Sequence, residues 1–321
     1  MKSKIIIITG DPNSINSEII YKSWKKIDKN IKKKIYFISN YNLLKKQFIK
    51  LRYSTKITQV DNIYDKTHSK DLKIINLNLK FNSLFNVKKR DASKFIIDAL
   101  NLGHKIALRK DVLGLINCPI NKKLLPKKKI GVTEYLASKC SVKDNSEVMI
   151  IKSRKQCVSP ITTHIDIKDV SKKISEKLIL AKIKTIEIWF KKIFQKKPKI
   201  CILGLNPHNA EFEKNSEENK IIIPAIKKLN KLKIKVKGPF AADTVFIKDY
   251  KNYDIIVGMY HDQVLTPFKS LFNFDAINLT FGLKYLRASP DHGIATDLIG
   301  KNKADATSLI KCINFINKFG K

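Results

Sequence analysis

The chain contains six histidines, and four of them, His164, His208, His261 and His292, fall just past apolar runs or inside turn-rich segments. His164 follows Ile161-Thr162-Thr163, and His208 ends Gly204-Leu205-Asn206-Pro207-His208. His261 follows Gly258-Met259-Tyr260 and precedes Asp262-Gln263, while His292 lies in Ser289-Pro290-Asp291-His292-Gly293. Open α/β sheets place their ligands just beyond strand ends. Three neutral imidazoles can bind a divalent ion and leave a position open for substrate, which is a catalytic rather than a structural arrangement. No pair has H-x-x-H spacing, so the fold alone could bring the rings together. Taken singly, each imidazole has an ordinary alternative: capping a strand or bonding a loop carbonyl.

A second group suits an anionic substrate. Lys269, Asn278 and Arg287 each sit near an inferred strand end, with Gly238-Pro239 and Asp243-Thr244 upstream. A lysine point charge, an amide and an arginine fork match a phosphate plus a carboxylate. Ordinary surface lysine is a serious rival reading for Lys269. It is weaker for Arg287, because the chain has only Arg52, Arg90, Arg109, Arg154 and Arg287 among its many basic residues.

These groups need elements to hold them. Short apolar runs alternate with longer amphipathic stretches, the pattern of an α/β protein. Strands are predicted at Lys4–Thr9, Lys34–Ser39, Leu72–Leu77, Val112–Asn117, Glu147–Ile151, Lys199–Leu205, Asp254–Tyr260 and Ala276–Thr280. Helices are predicted over Asp91–Lys110 and Ser171–Lys196, the second with Ile174, Leu178, Ile186, Trp189 and Ile193 on one face and Pro198 as a stop. A further helix is expected from Ser216, with Glu217 and Glu218 favourable in its first turn.

Composition narrows the class. The 321 residues carry 43% hydrophobic side chains and a net charge of +36, which excludes a disordered polycation. The length corresponds to about two domains or lobes. No apolar run approaches a membrane span, and Ile5–Ile8 is too short for a signal-peptide core. Five dispersed cysteines without a C-x-x-C pair point to reduced thiols in a cytoplasm. The charge would suit nucleic acid, yet arginine is scarce and the region 240–300 holds more Asp than Lys and Arg together. A solvated basic surface, with weak non-specific binding at low salt and no specific nucleic acid, fits better.

The ordered set of Thr162-Thr163-His164, Gly204 to His208, Gly238-Pro239-Phe240-Ala241-Ala242-Asp243-Thr244, Met259 to Gln263, Ile277-Asn278-Leu279-Thr280 and Ser289 to Gly293 resembles the 4-hydroxythreonine-4-phosphate dehydrogenase family of vitamin B6 biosynthesis. The resemblance runs from Ile8-Thr9-Gly10-Asp11-Pro12 to Lys301-Asn302-Lys303-Ala304 and is most specific between His164 and Gly300. It implies an isocitrate/isopropylmalate dehydrogenase-like fold of two α/β lobes with a cleft between them. Residues 1–120 with 275–321 would form the first lobe. Residues 121–274 would form the second and carry the metal ligands and dimer contacts.

The resemblance further implies a homodimer with an active site shared between subunits. Its reaction is oxidation of the C3 hydroxyl of 4-phosphooxy-L-threonine by NAD or NADP, followed by loss of CO2 to give 3-amino-2-oxopropyl phosphate. His164, His208 and His261 would bind the metal, with zinc first and magnesium, manganese or cobalt as alternatives. Thr133, Lys269, Asn278 and Arg287 would hold the substrate. One Lewis acid can serve both chemical steps. The catalytic base is left open between Asp243 and the Asp291-His292 pair.

The chain also departs from the family pattern. Ser14 and Asn16 replace two glycines of the usual Gly-Glu-Pro-Ala-Gly-Ile-Gly-Pro-Glu loop, and Asn209-Ala210-Glu211 stands where Ala-Gly-Glu is usual. Gly131-Val132-Thr133-Glu134 replaces Gly-His-Thr-Glu, so a substrate contact at Val132 is lost or supplied otherwise. This keeps open a paralogue acting on 4-phospho-threonate or 4-phospho-erythronate. A basic nucleic-acid-binding protein on the same scaffold rests on charge alone. The family lacks a Gly-x-Gly-x-x-Gly fingerprint, so its absence here says nothing against a nicotinamide cofactor.

Overall fold

Ile5 to Ile8 are fully buried, as the side chains of a parallel strand covered on both faces must be. The computed structural model describes residues 3–65, 71–126, 131–143, 145–273 and 275–320. The chain divides into one unit of Met1–Leu136 with Lys284–Lys321 and another of Ala137–Leu283.

In the first unit β1 (Lys4–Ile8), β2 (Ile35–Ser39), β3 (Ile57–Val60), β4 (Leu72–Asn76), β5 (Val112–Asn117) and β12 (Arg287–Pro290) lie in the order β3-β4-β2-β1-β5-β12. All neighbours in that row are parallel. The accompanying helices are α1 (Asn16–Lys26), α2 (Lys29–Lys32), α3 (Tyr41–Lys50), α4 (Lys89–Ala107), α11 (Thr307–Phe319) and α5 (Val132–Lys139), which runs into the second unit. The helix expected over Asp91–Lys110 is α4. After β1 the chain turns at Gly10, whose φ of +76° and closeness to Pro119 leave no room for a Cβ.

The second unit has β6 (Val148–Lys152), β7 (Cys157–Pro160), β8 (Ile200–Leu203), β9 (Val236–Phe240), β10 (Ile255–Gly258) and β11 (Ile277–Phe281), in the order β11-β6-β7-β10-β8-β9. The β7-β10-β8-β9 stretch is parallel, whereas β6 runs antiparallel to both β11 and β7. Its helices are α6 (Val170–Lys173), α7 (Glu176–Phe194), α8 (Ile223–Lys231), α9 (Ala242–Val245) and α10 (His261–Phe272). The apolar side of α10, with Val264, Leu265 and Phe268, packs on Val158, Leu203 and Ile256.

The helix predicted from Ser171 is broken. Ile174 turns extended and Ser175 restarts the helix, its Oγ accepting a bond from the Leu178 amide at 3.2 Å. The buried face of α7 is Ile179, Ile183, Ile186, Phe190 and Ile193, so Leu178 and Trp189 sit beside the stripe rather than in it. All five cysteines are free and buried. Among the described residues no helix is long and apolar enough to cross a membrane.

Candidate active site

Three neighbouring parallel strands, β7, β10 and β8, deliver the three histidines at their carboxyl ends. His164 lies in the turn after β7 and His261 opens α10, directly beyond β10. Their rings stand 5.8 Å apart, centroid to centroid, inclined at 40°. Both line a cavity of about 260 Å³ together with Thr162, Thr163, Tyr260 and Asp262. With zinc–nitrogen bonds near 2 Å, two imidazoles on one ion have centroids roughly 5–6 Å apart, so this pair fits a shared cation. The donor chemistry agrees. Asp262 Oδ1 lies 2.6 Å from His261 Nδ1, an arrangement that orients the ring and leaves Nε2 to face an ion.

His208 stands apart. After β8 the chain enters a left-handed turn in which His208, Asn209, Ala210, Glu211 and Phe212 all have φ between 46° and 59°. The His208 side chain is exposed, with Nδ1 3.4 Å from Glu211 Oε1. Among the described residues no three His, Cys, Asp or Glu side chains of one chain are grouped to hold a metal.

The turn is anchored by two carboxylates of the first helical turn after Ser216, where a helix start is expected. Buried Glu218 accepts bonds from the amides of Leu205 at 2.8 Å and Asn206 at 2.9 Å, and from Asn206 Nδ2 at 3.0 Å. Glu217 accepts from Ser171 and from Asn206 Nδ2, and these donors hold its carboxyl below the ordinary range. Ser216 caps as expected, its Oγ accepting from the Asn219 amide at 3.3 Å.

Lys269 and Asn278 lie in the same unit as the histidines, on α10 and β11; Asp243 is exposed on the short α9. The side-chain oxygen of Asn278 is buried and, among the described residues, has no hydrogen-bond partner. Arg287, Thr133, Val132, Asp291 and His292 belong to the other unit. Arg287 is only 3% exposed. Its Nε and Nη2 donate to Asn117 Oδ1 at 2.8 and 2.6 Å, and Nη1 donates to Thr133 Oγ1 at 3.3 Å. Burial pushes the guanidinium down to about 10. Asn117 was not singled out from the sequence, where it reads only as the polar end of an apolar strand. His292 Nδ1 lies 2.9 Å from the Gly293 carbonyl.

In the crevice beyond β1, Gly10, Asp11, Asn16 and Ser17 enclose about 20 Å³.

The chain matches the family of the pyridoxal phosphate biosynthetic protein PdxA over residues 30–316. It belongs to that family. Among PdxA relatives, it is 38% identical to the 4-hydroxythreonine-4-phosphate dehydrogenase of Sulfurihydrogenibium sp. (strain YO3AOP1) over 316 residues, covering 97% of this chain and 96% of that one. The crystal structure of the Klebsiella pneumoniae 4-hydroxythreonine-4-phosphate dehydrogenase superposes with a TM-score of 0.84 at 25% identity, covering 98% of this chain and 99% of that one. Isocitrate dehydrogenase from Methylococcus capsulatus shares the fold alone, with a TM-score of 0.52 at 9% identity over 98% of this chain and 84% of that one. The expected isocitrate dehydrogenase-like α/β fold is therefore the observed one, in a PdxA enzyme of vitamin B6 biosynthesis.

Proposed function

We propose that the chain oxidises the C3 hydroxyl of 4-phosphooxy-L-threonine, passing hydride to NAD or NADP. The product, 2-amino-3-oxo-4-phosphooxybutanoate, then loses CO2 to give 3-amino-2-oxopropyl phosphate. The observation that carries this reading is PdxA membership over residues 30–316. In this reading His164, His208 and His261 hold a divalent ion, zinc first, with magnesium, manganese or cobalt as alternatives. When bound, the ion supplies Lewis acidity at the C3 oxygen.

The side chains have distinct tasks. Asp262 keeps His261 oriented through Nδ1. Arg287, fixed by Asn117 and Thr133, and Lys269 offset the substrate's phosphate and carboxylate and orient C3. The Asn278 oxygen offers a buried acceptor to a substrate donor. Asp243 and the Asp291-His292 pair are the groups assigned to moving the C3 proton. The five free, buried thiols agree with a cytoplasmic enzyme.

A homodimer with a shared site is part of the proposal, supported by the separation of His208 from the His164–His261 pair in one chain. The test follows NADH production from 4-phosphooxy-L-threonine with and without added Zn²⁺, in the parent and in His164→Ala and His208→Ala. Each variant alone should be inactive. Mixed and reassembled, the two should regain about a quarter of parental activity, because half the dimers are mixed and each keeps one intact site. Full activity in metal-free enzyme and in both variants would overturn the reading.

Val132 favours a second reading, oxidation of 4-phospho-threonate or 4-phospho-erythronate. The residue adjoins Thr133, which bonds Arg287, and its side chain offers no hydrogen bond where the family has an imidazole. Turnover confined to the aminated substrate would eliminate it.

A further inference from the structure

We propose that Tyr135 and Tyr285 are positioning residues: held by one side of α4, their hydroxyls set the placement of Thr133 and Arg287, and thereby the affinity for the phosphorylated substrate. The inference rests on the assignment of Thr133 and Arg287 to substrate binding. It starts from two short segments of the first unit. Thr133 lies in the first turn of α5 and Arg287 opens β12, and Arg287 Nη1 donates to Thr133 Oγ1 at 3.3 Å. Two residues beyond Thr133, the Tyr135 hydroxyl donates to Asn101 Oδ1 at 2.8 Å. Two residues before Arg287, the Tyr285 hydroxyl lies 3.0 Å from His104 Nδ1, with ring centroids 5.7 Å apart. Asn101 and His104 both belong to α4, and their spacing of three residues puts them on one side of that helix.

α4 is a firm base for these bonds. Its buried side, with Phe95, Ile96, Ala99, Leu100 and Gly103, packs on β1 and β5. A Cβ on Gly103 would come within 2.7 Å of Ile8 Cδ1 and 3.1 Å of Leu115 Cδ1, so the helix lies close against the sheet. Asn117, which accepts two N–H groups of Arg287, is the last residue of β5. The Thr133–Arg287 pair is thus tied to the same sheet by two routes, one through Asn117 and one through α4. The tyrosine bonds lie where the chain changes units. It leaves the first unit after Leu136 and returns at Lys284, so each tyrosine stands beside a crossing. Phenylalanine at either position would keep the ring and lose only the hydroxyl bond. A group that orients substrate works only in its proper place, so slack in these two segments lowers affinity without altering the chemistry.

Steady-state kinetics on 4-phosphooxy-L-threonine, with nicotinamide cofactor and Zn²⁺ saturating, test the proposal beside thermal melts of each protein. The parent is compared with Tyr135→Phe, Tyr285→Phe, Asn101→Leu, Thr133→Val and a variant combining Tyr135→Phe with Asn101→Leu. Each tyrosine variant should raise KM about three- to tenfold at near-parental kcat, the scale of one lost hydrogen bond. Asn101→Leu should match Tyr135→Phe, and the combined variant should lose no more than either alone, because one bond serves both residues. A lower melting midpoint with unchanged KM would make the tyrosines merely structural and overturn the positioning role. Parental KM in both tyrosine variants, alongside a raised KM in Thr133→Val, would overturn that role alone. Parental KM in Thr133→Val, or a parent that does not turn over this substrate, would overturn the substrate assignment beneath it.

Discussion

Two buried cations show how much one side chain's surroundings decide. Arg287 is buried with Asn117 Oδ1 accepting two of its N–H groups. Replacing Asn117 with Ala removes that oxygen from a buried guanidinium and should cost about 2 kcal/mol, read from the denaturant midpoint; an unchanged midpoint would show that the pair is not structural. Lys73 instead lies over the Tyr36 ring at 4.1 Å, with Nζ donating to the Lys33 carbonyl at 2.6 Å. Burial, aided by the Lys4 charge, pushes its ammonium down to about 8 from 10.5. A base with a depressed folded pKa weakens the fold while it is charged, and that penalty disappears as pH rises from about 8 to 10.5. The stability of Lys73→Met relative to the parent should therefore fall across this window, followed by paired thermal melts. A pH-independent difference would contradict the shift. Chemistry-bearing residues such as the histidines and Arg287 were legible in the sequence because they are rare and border apolar runs. The roles of Asn117 and Glu218 were not, since these lie in the distant groups they meet, the Arg287 guanidinium and the Leu205 and Asn206 amides.

Elements were legible where burial makes a strand continuously apolar. All eight predicted strands exist, from the isoleucines of β1 to Ile277–Phe281. The other four described strands, β3, β7, β9 and β12, are no shorter than β8 and β10, but β7, β9 and β12 carry Ser-Pro, Gly-Pro and Arg-Ala-Ser-Pro, which read as turns. Their neighbours specify them more than their own composition does. The start of α7 likewise depended on Ser175 rather than on hydrophobic period, and Ser175→Ala should cost about 1 kcal/mol in urea unfolding. No loss would mean the cap is idle. The left-handed turn after β8 makes an opposite prediction. Ala210 has φ of +49° where the family usually has glycine. Ala210→Gly should raise stability by up to about 1 kcal/mol, relief of backbone crowding outweighing the extra freedom of the unfolded chain. A lower midpoint would show that the turn is unstrained.

At the scale of the whole molecule, the net charge of +36 governs behaviour outside the active site. Binding to an arbitrary DNA duplex, followed by fluorescence anisotropy, should weaken at least roughly tenfold between about 50 and 200 mM salt. A salt-resistant, sequence-selective complex would instead revive a nucleic-acid role. The five enclosed thiols have another consequence. Cys118 and Cys312 belong to one unit, and Cys140, Cys157 and Cys201 to the other. A maleimide can label any of them only during a transient opening. The order in which the five become alkylated is therefore a built-in clock for local breathing, with separate hands for the two halves of the polypeptide.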